Sequence, residues 1–231
     1  KTGLPQFKSK HHKDHSYTTN FVNGNIKLEN GFLTLPKIKK IKIKQHRLVP
    51  NDYKLKSVTV SKTPTGKYFA SILYEFDKHV ESIEPKSFIG LDFSMKELYV
   101  DSNGLSADYP RYYRSSLEKL QKAQRTLSKM KKGSHNRNKQ RGKVAKLHEK
   151  ISNQRKDFLH KQSRQIVNAY DCVSVEDLNM KAMSQSLNFG KSVSDNGWGM
   201  FTTFLEYKLK DDGKTFIKVG KFFPSSQVCS V

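Results

Sequence analysis

The sequence predicts an α+β protein: an all-β first part, then strands that flank a long helical hairpin. Three observations predict it. Residues 1–86 alternate short β-branched or aromatic runs with turn dipeptides. Residues 111–170 repeat apolar side chains at three- and four-residue steps. Two apolar runs far apart in the chain, at 88–93 and 172–175, each end on a carboxylate, Asp92 in one and Glu176 in the other.

Composition limits what such a chain does. Its 231 residues suffice for one large domain or two small ones. A formal net charge of +22 points to a polyanion as partner. Nucleic acid fits better than membrane, because no apolar run approaches membrane-spanning length. The two cysteines, Cys172 and Cys229, make no disulfide framework, as a reducing cytoplasm requires. No signal peptide is visible, and the chain begins at Lys1 without a methionine, so a piece of a longer protein is expected. The charge is segregated. Residues 1–86 carry 17 Lys+Arg against 7 acids, and residues 111–170 carry 18 against 3. Residues 87–110 carry 1 against 4, and residues 171–231 carry 7 against 7. Both candidate acids therefore sit where positive charge is not in excess.

In the first part, Asn23-Gly24 and Asn30-Gly31 are turn dipeptides, and Ile41-Lys42-Ile43-Lys44 alternates apolar and basic residues. The clearest hairpin runs from Ser57–Val60 through Thr63-Pro64-Thr65-Gly66 into Tyr68–Tyr74, with Tyr68, Ala70, Ile72, Tyr74 and Phe76 on one half-buried face. Strands this short, basic and aromatic suit a small barrel against a nucleic-acid backbone. Residues 81–86 read as a linker. Residues 88–93 then read as a buried strand, where an aspartate is costly unless a cation or hydrogen bonds compensate it.

The helical part reads as two antiparallel helices broken at Gly133-Ser134, the second running from Asn136 to Ala169. Its polar side carries Lys139, Arg141, Lys143, Lys146, Lys150, Arg155 and Lys156. A solvated helix face normally mixes both signs, so phosphate contact explains this one better. Residues 181–194 read as loop. Asp195 is the expected N-cap of a helix that buries Trp198, Phe201, Leu205 and Leu209; Gly213 ends that helix, and 215–223 is a last strand.

Six stretches occur in an order shared with one family: Gly90–Lys96, Leu127–Asn136, Asn153–Phe158, Val175–Asn179, Ser194–Gly199 and Phe223-Pro224-Ser225-Ser226 with Cys229. Together they resemble the TnpB proteins, the OrfB-type products of bacterial insertion sequences, which are RNA-guided DNA endonucleases related to compact type V CRISPR effectors. The resemblance implies a wedge-like, OB-like β-barrel over residues 1–86 and a RuvC-type, RNase H-like nuclease fold over 87–231. It implies Asp92 and Glu176 as the first two catalytic, Mg²⁺-binding acids, and Cys229 as the first cysteine of a zinc ribbon. In the family the third catalytic aspartate follows the ribbon, and a recognition part precedes the wedge domain, so neither is expected here and zinc is expected only in a full-length protein. Guide RNA and target DNA are the implied partners, in the bacterial cytoplasm at the nucleoid. A binding-only remnant or repressor derived from the same family is the alternative, since two carboxylates do not complete a two-metal site.

Overall fold

Asn-Gly turns and short strands shape the first of the two units into which the chain divides, Lys1–Lys78 and His79–Val231. The computed structural model describes residues 16–50, 52–186, 197–220 and 223. The first unit contains β1 (Ser16–Asn20), β2 (Lys27–Glu29), β3 (Phe32–Thr34), β4 (Lys40–Lys42), β5 (Lys54–Lys62) and β6 (Tyr68–Glu75). Asn30 and Gly31 both have positive φ, 49° and 74°, which suits the tight turn joining β2 to β3. Two antiparallel sheets result, ordered β1-β5-β6 and β2-β3-β4. Ile26, Leu33, Leu35 and Val58 are buried between them, with Leu28, Ile41, Leu55, Val60 and Ile72 packed around.

No closed barrel forms: among the described residues no ladder joins the two sheets. Strands β2, β3 and β4 are three residues each, and Pro36 and Pro50 lack the N–H that would extend pairing beyond them. The expected half-buried face of β6 is also incomplete. Ile72 and Tyr74 are partly covered, but Tyr68 and Phe76 stay exposed.

The second unit contains β7 (Phe88–Phe93), β8 (Tyr99–Asp101), α1 (Tyr112–Lys129), α2 (His135–Ala169), β9 (Cys172–Glu176), α3 (Met180–Ser186), α4 (Trp198–Asp211) and β10 (Thr215–Val219). Its sheet is ordered β10-β9-β7-β8. Strands β7, β9 and β10 are parallel, and β8 runs antiparallel to β7. Parallel neighbours need long crossovers, and the helices supply them. Ile89, Leu91, Val173 and Val175 turn one face of the sheet into a core with Leu159, Ile166 and Val167 of α2 and Trp198, Phe201, Leu205 and Leu209 of α4. The four α4 residues are 0–2% exposed, each contributing roughly 1.5–3 kcal/mol by burial. Strand β7 is buried on this face alone. Phe88 is 65% exposed and Asp92 also faces solvent, which corrects the expectation of a buried strand.

The hairpin is held by side chains that reach across its turn. Gly133 takes φ 83°, and Ser134 caps α2 by accepting from the Arg137 N–H. Arg137 Nη1 donates to the carbonyls of Leu127 (2.6 Å) and Met130 (3.0 Å), tying the end of α1 to the start of α2. Leu120, Val144 and Ile151 form the small core between α1 and α2. The other end of α2 is fastened to α4. His160 stacks on Phe204 with centroids 3.8 Å apart, and Arg164 pairs with Asp212 at 2.8 Å. Lys208, only 4% exposed, donates from Nζ to the His160 carbonyl and the Ser163 hydroxyl. Burial lowers its pKa, with a smaller effect from Arg164.

Two expectations shift. Met180–Ser186, read as loop, is a short helix because the Asn179 side chain accepts from the Ala182 N–H as an N-cap would. Helix α4 starts directly after Gly197, which takes φ 76° in the N-cap position; Asp195 lies outside the described residues.

Residues 81–86 lack regular structure but are pinned, since the Ile83 N–H donates to the Gly213 carbonyl at 2.9 Å. Gly213 has φ 71°, and a Cβ there would collide with the Glu81 carbonyl oxygen. Gly213→Ala should therefore destabilise the second unit by at least about 1–3 kcal/mol, read from a urea melt; an unshifted midpoint would contradict this packing. Nearby, the Asp171 carboxylate accepts from the Ser87 hydroxyl and from the Lys86 and Ser87 N–H groups, and it faces Lys214. These bonds hold its pKa below the usual aspartate value, the Ser87 hydroxyl foremost. A depressed folded-state pKa stabilises above the unfolded pKa and loses that stabilisation as pH falls through the folded one. Asp171→Asn should flatten the acid limb of the stability–pH curve; a parallel acid limb in the variant would refute the assignment.

Candidate functional site

Asp92 is the fifth residue of β7 and Glu176 the last of β9. The parallel register pairs Gly90 with Ser174 and Leu91 with Val175, so Asp92 and Glu176 follow at adjacent positions on neighbouring strands. Strands lie roughly 4.8 Å apart in a sheet. Alternation puts both acids on the face away from the helices, where both are exposed. Among the described residues neither carboxylate has an ion-pair partner. Both line a concavity of about 360 Å³ at the carboxyl ends of the parallel strands, with Gly90, Ser102, Ser174, Gly220 and Phe223. Such strand ends are where open α/β sheets place ligands.

A third acid lines the same concavity. Asp101 pairs with Leu91 across the β7–β8 ladder. Its Oδ1 accepts from the Asn103 and Leu105 N–H groups, so it also shapes the turn after β8. Nothing in the sequence patterning singles out Asp101; the acidic balance of residues 87–110 was the only signal. Among the described residues no three Asp, Glu, His or Cys gather as a metal-binding group. Cys229 lies outside the described residues.

The structure sorts the candidate phosphate contacts on α2. Lys139, Lys143, Lys146 and Lys150 follow i, i+4, i+7, i+11 spacing, which aligns them in one exposed stripe opposite Val144. None of the four has an acidic partner among the described residues. Further along, Lys161 pairs with Asp157 and Arg164 with Asp212, so the stripe is neutralised there. Arg141 and Lys156 are exposed but lie off the stripe. Arg155 sits four residues from both Ile151 and Leu159, on the inward row, and its Cδ packs close to Gly197. Helical spacing gave that signal, but charge alone obscured it.

The comparisons with known proteins fall on these same segments. The family OrfB_IS605, described as "Probable transposase", matches residues 71–187, which include β7, both hairpin helices and β9. The chain belongs to this family. A second family, the Cas12f1-like TNB domain, matches residues 198–231. The chain is 32% identical over 226 residues to a "Putative RNA-guided DNA endonuclease" of Streptomyces pristinaespiralis, covering 97% of this chain and 56% of that protein. It is 29% identical to the "Putative RNA-guided DNA endonuclease InsQ" of Escherichia coli (strain K12), covering 100% of this chain and 60% of that one. The chain thus spans little more than half the length of these two relatives. Among solved structures, a Cas12f1–sgRNA–target DNA complex is similar at TM-score 0.49 and 18% identity, over 73% of this chain and 36% of that one. A CRISPR–Cas12f ternary complex is similar at TM-score 0.43 and 16% identity, over 97% and 57%.

Reversing Lys139, Lys143, Lys146 and Lys150 to Glu should weaken duplex binding and flatten the dependence of log K on log salt by up to about 4 units, each phosphate contact contributing roughly 0.9. Fluorescence anisotropy across a salt series checks this. An unaltered slope would make the stripe a solvated face.

Proposed function

We propose that this chain carries the strand-borne acids and a phosphate grip of an RNA-guided DNA endonuclease, which hydrolyses DNA phosphodiesters. One observation carries the reading: parallel pairing of β7 and β9 sets Asp92 and Glu176 side by side, exposed and without ion-pair partners among the described residues, over a concavity. Carboxylate oxygens are hard donors, and Mg²⁺ is the divalent cation they suit for phosphate chemistry. In two-metal phosphodiester hydrolysis the bound cations activate water and stabilise the leaving oxygen. Asp92 and Glu176 would hold such cations from the open face of the sheet, where a DNA backbone can approach. The lysine stripe on α2 would hold phosphates independently of sequence, leaving sequence choice to a guide RNA. The mixed sheet with its helical crossovers supports a RuvC-like reading of this unit, and the basic first unit supports a wedge-like role in gripping nucleic acid. Zinc, held through Cys229 and cysteines from elsewhere, belongs to the same reading of a longer protein.

A binding-only role has one observation in its favour. No three-residue metal-binding group forms among the described residues, so a third ligand must come from elsewhere for full activity. The proposal therefore predicts weak Mg²⁺ binding and no detectable plasmid nicking by the 231-residue chain. A full-length protein supplied with guide RNA and Mg²⁺ should nick, and Asp92→Ala or Glu176→Ala should reduce nicking to background. A full-length Asp92→Ala protein that still cuts would remove β7 from the active site. A full-length protein that binds but never cuts would favour the binding-only role.

A further inference from the structure

In a chain of net charge +22, most of one sheet face is uncharged, its charges gathered at one end where Lys54 lies opposite Glu75 and Lys56 pairs with Glu75 at 2.6 Å. In the first unit, β1, β5 and β6 turn Leu55, Val58, Val60 and Ile72 toward the core. The opposite face is set by alternation and register: Thr18 lies beside Thr59, Thr59 beside Ser71, and Ser61 beside Phe69. Hydroxyls floor this face, and the Thr18 and Thr59 hydroxyls are 2.9 Å apart. Two large apolar side chains rise from it, Phe69 at 53% exposure and Leu73 at 59%. Sheet surfaces that meet only water usually carry Lys or Glu, and an edge strand most of all. Strand β6 is the edge here, and the eight residues of its strand include a single charge, Glu75. A flat hydroxylated floor with an aromatic ring standing on it matches the chemistry of a nucleobase: an apolar plane ringed by hydrogen-bonding edges.

Charge complementarity selects the occupant. Residues 16–78 carry 12 Lys+Arg against 4 acids, so the unit attracts a polyanion, while the middle of this face, from Ser57 and Leu73 to Ser61 and Phe69, offers the phosphates no cation. The Lys62 ammonium, at the end of β5, lies 5.4 Å from the centre of the Tyr68 ring on the other side of the same edge. Basic surroundings and an uncharged stacking surface together fit a polynucleotide whose bases are free, since a duplex hides its base planes. We propose that the outer face of the β1-β5-β6 sheet binds unpaired nucleobases, with Phe69 as the stacking residue and Leu73 beside it. This rests on the reading above that the chain grips nucleic acid, and it names a second contact separate from the α2 stripe.

The test uses the whole chain, a fluorescein-labelled oligothymidylate of about twelve nucleotides and a duplex of equal length. Phe69→Ala should weaken single-strand binding by roughly tenfold and leave duplex affinity and salt slope unchanged. Phe69→Trp should bind like the parent, with its indole fluorescence quenched by the single strand; its circular dichroism melt controls for folding. Equal weakening on both probes, or no weakening on either, overturns the proposal. So does a Phe69→Ala chain that keeps both affinities but loses a self-association seen by sedimentation, which would give the face to a polypeptide. If the unaltered chain binds neither probe, the nucleic-acid reading itself fails. Strong parental binding with a neutral Phe69→Ala sinks this inference alone.

Discussion

The register between β7 and β9 is the constraint on which the rest of the second unit depends. It is set at one end by a clamp. The Ser87 carbonyl accepts from the Asp171 and Cys172 N–H groups, while the Asp171 carboxylate accepts from Ser87 in return. From that clamp each strand runs five residues to its acid, Ser87 to Asp92 and Asp171 to Glu176. Equal run lengths bring the carboxylates level. A slip of one residue would turn Ile89 and Leu91 outward and an acid into the core, so burial on the helical face and exposure on the other enforce the same alignment.

Helix α2 connects that alignment to the exposed lysine stripe. At about 52 Å it takes part in two cores, one with α1 and one beneath the sheet with α4. The half above α4 is anchored by stacking, a buried lysine and an interhelical ion pair, and its surface charges are offset by neighbours. The half beside α1 buries Val144 and Ile151 and leaves its lysines without acidic partners among the described residues. One continuous helix thus has one end fixed in place and the other presenting its lysines to solvent.

Much of this was legible in the sequence because apolar periodicity reports burial directly. Trp198, Phe201, Leu205 and Leu209 were recognisable as one face, and the break at Gly133-Ser134 as a turn. What escaped notice depends on long-range partners. Arg137 looks like one more base in a basic run, yet its guanidinium closes the hairpin. Arg155 belongs to the same run but faces inward. Lys208 is buried because His160 and Ser163, some 45 residues away in sequence, present oxygens to it. The open arrangement of the first unit also depends on which strands fail to meet. The two exposed acids were visible as strand ends, but the face they occupy depends on where the helices pack.

The continuity of α2 restricts how such a chain changes length. One residue inserted after Lys150 would turn the preceding lysines by about 100° and advance them about 1.5 Å relative to the sheet. The same twist would carry Val144 away from Leu120. Insertions of three or four residues nearly restore the azimuth but lengthen the arm by roughly one turn, about 5.4 Å. The Gly133 turn has no such phase to keep: a Cβ at Gly133 would meet nothing within 4 Å. Length variation among chains of this architecture should therefore collect at the hairpin tip, or enter α2 in near-whole turns matched by α1.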